Sequence, residues 1–216
     1  IRINVVDMLV DIGNDTSICI GAGMQFATDT AAFEANSPYI YSWSPSVNVD
    51  DATLFNPIVS SNLPDTFTLK LQVTDNLGCI VYDSINVNII DLTVDAGNDT
   101  LICYGDSIQL KVDTAIIPGI MPYSYSWSSP DSLKNADIFN PKGLNRDTLT
   151  YTVTVTDMIG CTASDSRTIN VTPPLIVDPG NDTVICFGQY LTVPALVTHQ
   201  GSGGLSYLWS NHEIMN

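Results

Sequence analysis

Basic residues are scarce in this chain. Its 216 residues include 7 Lys and Arg against 23 Asp and Glu, for a formal net charge of −16. Only 14% of the side chains are charged, so the acidity comes from missing bases rather than acidic runs. Such a surface repels phosphate backbones and anionic headgroups, which excludes nucleic acid as a main partner and disfavours acidic membranes. No apolar run approaches the roughly 18 residues of a membrane span, and no signal peptide opens the chain. The chain holds two His, His199 and His212, both isolated in sequence, and no Ser in a G-x-S-x-G context. Without a nucleophile set beside a base, the expectation is that it is not an enzyme. Gly and Pro occur at ordinary levels, and the 44% apolar content suffices for packed cores.

What the sequence does have is internal repetition. V-D-I-G-N-D-T-S-I-C-I-G from Val10 returns as V-D-A-G-N-D-T-L-I-C-Y-G from Val94 and V-D-P-G-N-D-T-V-I-C-F-G from Val177. Cys19, Cys103 and Cys186 are spaced by 84 and 83 residues, and Trp43, Trp127 and Trp209 by 84 and 82. Each Trp sits in Y-S-W-S or Y-L-W-S. Cys79 and Cys161 close the motifs V-T-D-N-L-G-C and V-T-D-M-I-G-C, and F-N-P recurs at Phe55 and Phe139. Four parts are therefore expected: 1–8 as the last strand of a preceding repeat, repeats over 9–92 and 93–175, and the first half of a third over 176–216. The ends fall mid-pattern, as in a piece of something longer. The linkers Asp91-Leu92 and Pro173-Pro174 are short, and Pro-Pro is stiff, so a rod is expected.

Strand signals dominate the repeats. Phe67–Thr74 and Leu149–Thr156 alternate apolar and polar side chains rich in β-branched residues, the pattern of a strand with one buried face. Ile85–Ile89, Ile169–Val171, Ile108–Val112 and Tyr39–Trp43 read alike. Asn76-Leu77-Gly78 and Met158-Ile159-Gly160 predict hairpin turns, with Gly supplying a positive φ. Seven or so strands and one Trp per repeat of about 84 residues predict an all-β protein of immunoglobulin-like sandwiches arranged end to end. Trp43, Trp127 and Trp209 are the expected core tryptophans. Tyr39 and Tyr41 share the parity of Trp43, as Tyr123 and Tyr125 share that of Trp127. They either extend the core toward its edge or form an open, sugar-binding row.

The combination D-x-G-N-D-T-x-I-C-x-G, Y-S-W-S and V-T-D-x-x-G-C resembles the PKD-like, immunoglobulin-like repeats of Bacteroidota cell-surface proteins. These include gliding-motility adhesins and other products of type IX secretion. The resemblance covers essentially the whole chain and implies an extracellular, structural or adhesive role. It departs at one place: PKD domains carry W-D-F-G-D-G after the Trp, whereas here Trp43-Ser44-Pro45 and Trp127-Ser128-Ser129 stand. Implied partners are neighbouring repeats, other copies in a filament, and surface polysaccharide. The alternatives are a carbohydrate-binding module or a passive stalk of a secreted multidomain enzyme.

In a secreted protein the cysteines read as disulfides; there is no C-x-x-C for a metal. Pairing within repeats would join Cys19–Cys79 and Cys103–Cys161. Strand order disfavours it. Cys19 follows the first strand, at the far pole of its sandwich, and Cys79 follows the turn before the last strand, at the near pole. Opposite poles lie beyond the roughly 7 Å Cα limit of a disulfide. Pairing between repeats would join Cys19 to Cys161 and leave Cys79, Cys103 and Cys186 with partners outside the segment.

The acidic residues recur in register: Asp11, Asn14 and Asp15; Asp95, Asn98 and Asp99; Asp178, Asn181 and Asp182. Gathered at a junction, such oxygens suit Ca²⁺; the competing reading is that they build turns. No cofactor is required by the sequence. The resemblance also implies O-glycosylation at D-S/T-aliphatic tripeptides: Thr30, Ser84, Thr100, Ser107, Thr114, Ser132, Thr148 and Thr183.

Overall fold

The structure is a computed structural model that describes residues 8–26, 37–113, 118–198, 204–206 and 208–209. The expected strand of a preceding repeat over 1–8 lies, apart from Met8, outside the described residues. In the first repeat the strands are β1 (Thr16–Cys19), β2 (Gly23–Gln25), β3 (Ile40–Ser44), β4 (Ile58–Ser60), β5 (Thr66–Thr74) and β6 (Ile80–Ile90). The second has β7 (Thr100–Cys103), β8 (Ser107–Gln109), β9 (Ser124–Trp127), β10 (Leu133–Lys134), β11 (Lys142–Leu144), β12 (Leu149–Thr156) and β13 (Thr162–Thr172). Beyond them, β14 (Ile176–Asp178) pairs with β15 (Leu196–Thr198).

The alternation seen in the sequence sets the faces. On β5, Leu69, Leu71 and Val73 are fully buried while Lys70 faces out. On β12, Tyr151, Val153 and Val155 do the same. Each repeat builds one sheet in the same order, β1-β6-β5-β3 and β7-β13-β12-β9. Facing it are β2-β4 in the first repeat and β10-β11-β8 in the second. The chain is thus all-β, a tandem of immunoglobulin-like sandwiches. In each, the early strand that carries the first Cys runs parallel to the last strand: β1 beside β6, β7 beside β13.

Trp43 and Trp127 sit in the two cores at 2% and 3% exposure. Their indole Nε1 groups donate to Leu54 O and Ile138 O, at 2.9 and 3.0 Å, so the buried N–H is satisfied. Trp43 and Trp127 are held by the neighbouring strands β5 and β12. Trp209, in the half repeat over 176–216, is 56% exposed.

The cores differ at one polar site. Tyr151 and Asn145 are both fully buried, and the phenol donates to Asn145 Oδ1 at 3.0 Å. The matching strand position in the first repeat is Leu69, a purely apolar choice.

Candidate functional site: the junction between repeats

The motif V-T-D-x-x-G-C is a turn that presents a cysteine. Asp157 Oδ1 accepts the backbone N–H groups of Ile159 and Cys161, at 3.0 and 2.9 Å. Asp75 Oδ1 accepts those of Leu77 and Cys79, at 2.9 and 2.8 Å. Gly78 and Gly160 follow with φ of 85° and 92°, values a side chain would strain. The carboxylates are buried, at 3% and 6% exposure, because their hydrogen bonds replace water. Their second oxygens differ. Asp157 Oδ2 accepts Ile120 N–H at 3.1 Å, whereas Asp75 Oδ2 has no hydrogen-bond partner among the described residues.

The motif D-x-G-N-D-T fastens the first segment of each repeat to its last strand. Asp11 Oδ1 accepts Gly13 N–H at 2.8 Å, closing an Asx turn. Asp83 Oδ2, on β6, accepts Ile12 N–H at 2.8 Å, and Asp15 Oδ1 accepts Asn86 N–H at 2.7 Å. In the second repeat Asp95 accepts from Gly97, Asp165 from Ala96 and Asp99 from Thr168. Asp178 repeats the first of these bonds with Gly180. The Asn86 backbone N–H, then its side-chain amide, lower the Asp15 pKa below its ordinary value.

These bonds answer what the recurrent acids do. Asp11, Asp15, Asp95 and Asp99 are spent on backbone N–H groups, and Asn14 and Asn98 stand exposed beside them. Among the described residues no group of three or more His, Cys, Asp or Glu gathers as a metal cage would require. The Ca²⁺ expectation gains no support from this arrangement.

The two repeats meet where these motifs converge. Cys19 and Cys161 form a disulfide with Cα atoms 5.3 Å apart. Cys161 is 2% exposed in the second core, and Cys19 packs against that same core. Ile20 N–H donates to Ile90 O at 2.8 Å, anchoring the end of β1 to the end of β6. The next residues of the chain cross over: Ile89 belongs to the first core, Ile90 and Leu92 to the second. A Cβ on Gly119 would lie 2.6 Å from Leu92 Cδ1, 3.0 Å from Tyr123 and 3.1 Å from Asp157. Glycine is thus what lets Leu92 seat against the near pole of the second repeat. The remaining cysteines, Cys79, Cys103 and Cys186, are unpaired and exposed.

Sequence reasoning read Leu92 as part of a short linker and did not single out Ile90 or Gly119. The available signal was a linker with apolar residues on both sides of Asp91, an unusual composition for a solvated hinge.

The aromatic row is covered in part. Tyr41 packs edge-on against Phe55 at 5.4 Å, and Tyr125 lies tilted against Phe139 at 6.3 Å, so F-N-P supplies a ring contact for each tyrosine. Burial raises both phenol pKa values, with a smaller contribution from Tyr39 and Tyr123 respectively.

Of the glycan candidates, Ser84, Ser107, Thr148 and Thr183 are exposed. Thr100 and Ser132 are half-buried, and Thr100 Oγ1 already binds Arg167 Nη2 and Asn98 O. Thr30 and Thr114 lie outside the described residues.

No protein-family model matches the chain, and no curated protein does. Among solved structures it is similar to a three-Ig fragment of titin, with 12% identity over 78% of this chain and 66% of that one, TM-score 0.41. It is similar to the N-terminal eight Ig domains of Down Syndrome Cell Adhesion Molecule, with 15% identity over 90% of this chain and 32% of that one, TM-score 0.41. It is also similar to a C-terminal fragment of intimin in complex with the intimin-binding domain of its translocated receptor. There the identity is 13% over 82% of this chain and 67% of that one, TM-score 0.44. Among the described residues no helix is long and apolar enough to cross a membrane.

Proposed function

We propose that the chain is a structural segment of a long secreted array of immunoglobulin-like repeats, giving a bacterial cell-surface adhesin or extracellular filament its reach. The observation that carries this is the Cys19–Cys161 bond. A covalent staple between two sandwiches restrains their relative motion, which is of use to a rod and of none to independent domains. Disulfides persist in oxidising compartments, which supports an extracellular location. The D-S/T tripeptides on exposed positions support O-glycosylation of that surface, and the PKD-like motifs support a Bacteroidota source.

Polysaccharide binding through the aromatic row is disfavoured, because Phe55 and Phe139 occupy part of the tyrosine faces. The inter-repeat staple supports a mechanical role. The test is electron microscopy of the native material. Threads built of bead-like repeats in line are expected; compact particles in which these repeats do not align would overturn the proposal.

A further inference from the structure

We infer that the Cys19–Cys161 bond is a load shunt: it routes tension through one strand of each repeat and bypasses the chain segment that builds the rest of both cores. The chain enters the first repeat at Val10 and reaches Cys19 along β1. The disulfide then crosses directly to Cys161, one residue before β13 begins. From there β13 leads out of the second repeat to Thr172. Strands β2 to β5, β8 to β12 and every core tryptophan up to Trp127 lie in the segment between the two cysteines, off this covalent path.

A second path runs beside the first. It starts at Cys79, follows β6 to Ile90, crosses the Asp91-Leu92 linker by ordinary peptide bonds, and follows β7 to Cys103. The two paths are hydrogen-bonded to each other in both repeats, as parallel ladders: Thr16–Cys19 with Val87–Ile90, and Thr100–Cys103 with Ile169–Thr172. They also change places at the junction. The path that is the early strand in the first repeat becomes the last strand in the second, and the reverse holds for its neighbour. Cys79 and Cys103, the ends of the second path within this chain, are unpaired and exposed.

The physical consequence follows from extensibility. Both paths are already strands over most of their length, with little slack to give. A pull along the rod therefore loads covalent bonds, and the parallel ladders share the load by shear. The sandwiches behind the paths can open without lengthening the molecule. Within one chain this holds whatever the parent molecule does.

The experiment is single-molecule stretching of the full chain, tethered through peptide tags at its two ends, before and after addition of a dithiol reductant. The oxidised chain should reach a final contour length short by the segment between the cysteines. A separation of 142 residues at up to roughly 3.6 Å each amounts to about 500 Å. Reductant should release that length in total, as the two sandwiches come under load and open. A total release of only about 400 Å, the sum of two loops closed within the repeats, would overturn the inference. So would an oxidised chain as long as the reduced one. Trp127→Ala supplies a readout independent of reduction. Its weakened core should leave the extension of the oxidised chain unchanged and lower the unfolding force only after reduction. A lower unfolding force with added length in the oxidised chain would show that tension reaches the core.

Discussion

Cys19 and Cys161 are 142 residues apart in sequence and 5.3 Å apart at Cα. They belong to different repeats, one at the far pole of the first sandwich and the other at the near pole of the second. The bond therefore fixes a relationship between domains rather than a core within one.

Closing so long a loop restricts the unfolded chain. For a loop of 142 residues the chain-entropy estimate is about 5 kcal/mol at most, shared between the two repeats. Cys161→Ser should lower the melting temperature of the non-reduced chain and separate its unfolding into two transitions. Reductant should then have no further effect on the variant. Calorimetry checks both outcomes.

The two buried turn carboxylates should respond differently to the same substitution. In Asp157→Asn the new amide nitrogen faces the N–H of Ile120, which Oδ2 now accepts. Leaving that donor unpaired costs about 1–3 kcal/mol. In Asp75→Asn the Oδ2 position has no partner to lose among the described residues, and the cost should stay under about 1 kcal/mol. Urea melts of the two variants measure the difference.

Gly119→Ala should loosen the junction. The added methyl meets Leu92 at 2.6 Å, with Tyr123 and Asp157 on its other sides. Overpacking of this kind costs about 1–3 kcal/mol. Small-angle scattering should show a wider spread of inter-repeat angles, limited by the remaining disulfide.

The immunoglobulin-like fold was legible because alternation is written strongly into Phe67–Thr74 and Leu149–Thr156, and their side chains fall on the expected faces. The last strands run longer than expected, Ile80–Ile90 and Thr162–Thr172. Their first halves are mostly exposed or half-buried, and ladder bonds to β5 and β12 rather than burial hold them. The recurrent acids were visible in sequence but not their use, since a D-x-G-N-D-T run serves a metal or a turn equally well. The approach of Ile12 and Asn86 to Asp83 and Asp15 shows the structural use of these acids. The packing of Leu92 on Gly119 escaped notice because the two meet across 27 residues of chain, a contact no local pattern encodes.

Acid and base should act through different residues. Asp15 has its pKa lowered from 3.8 by hydrogen bonds formed in the folded state. Its contribution is full above that value and fades as pH falls through the folded pKa, so Asp15→Ala should remove part of the acid sensitivity below about pH 3.8. Tyr125 has its pKa raised from 10.0 by burial. The fold favours the protonated phenol, so stability should drop as pH climbs past 10.0, and Tyr125→Phe should flatten that drop. Melting temperature against pH, in both variants, checks the signs.

The most direct test of the staple is peptide mapping of the non-reduced chain, with free thiols blocked before digestion. A cross-linked pair containing Cys19 and Cys161, with Cys79, Cys103 and Cys186 recovered as blocked thiols, is the predicted result. Cross-links joining Cys19 to Cys79 and Cys103 to Cys161 would contradict it, and with it the reading of the junction as a covalently held joint.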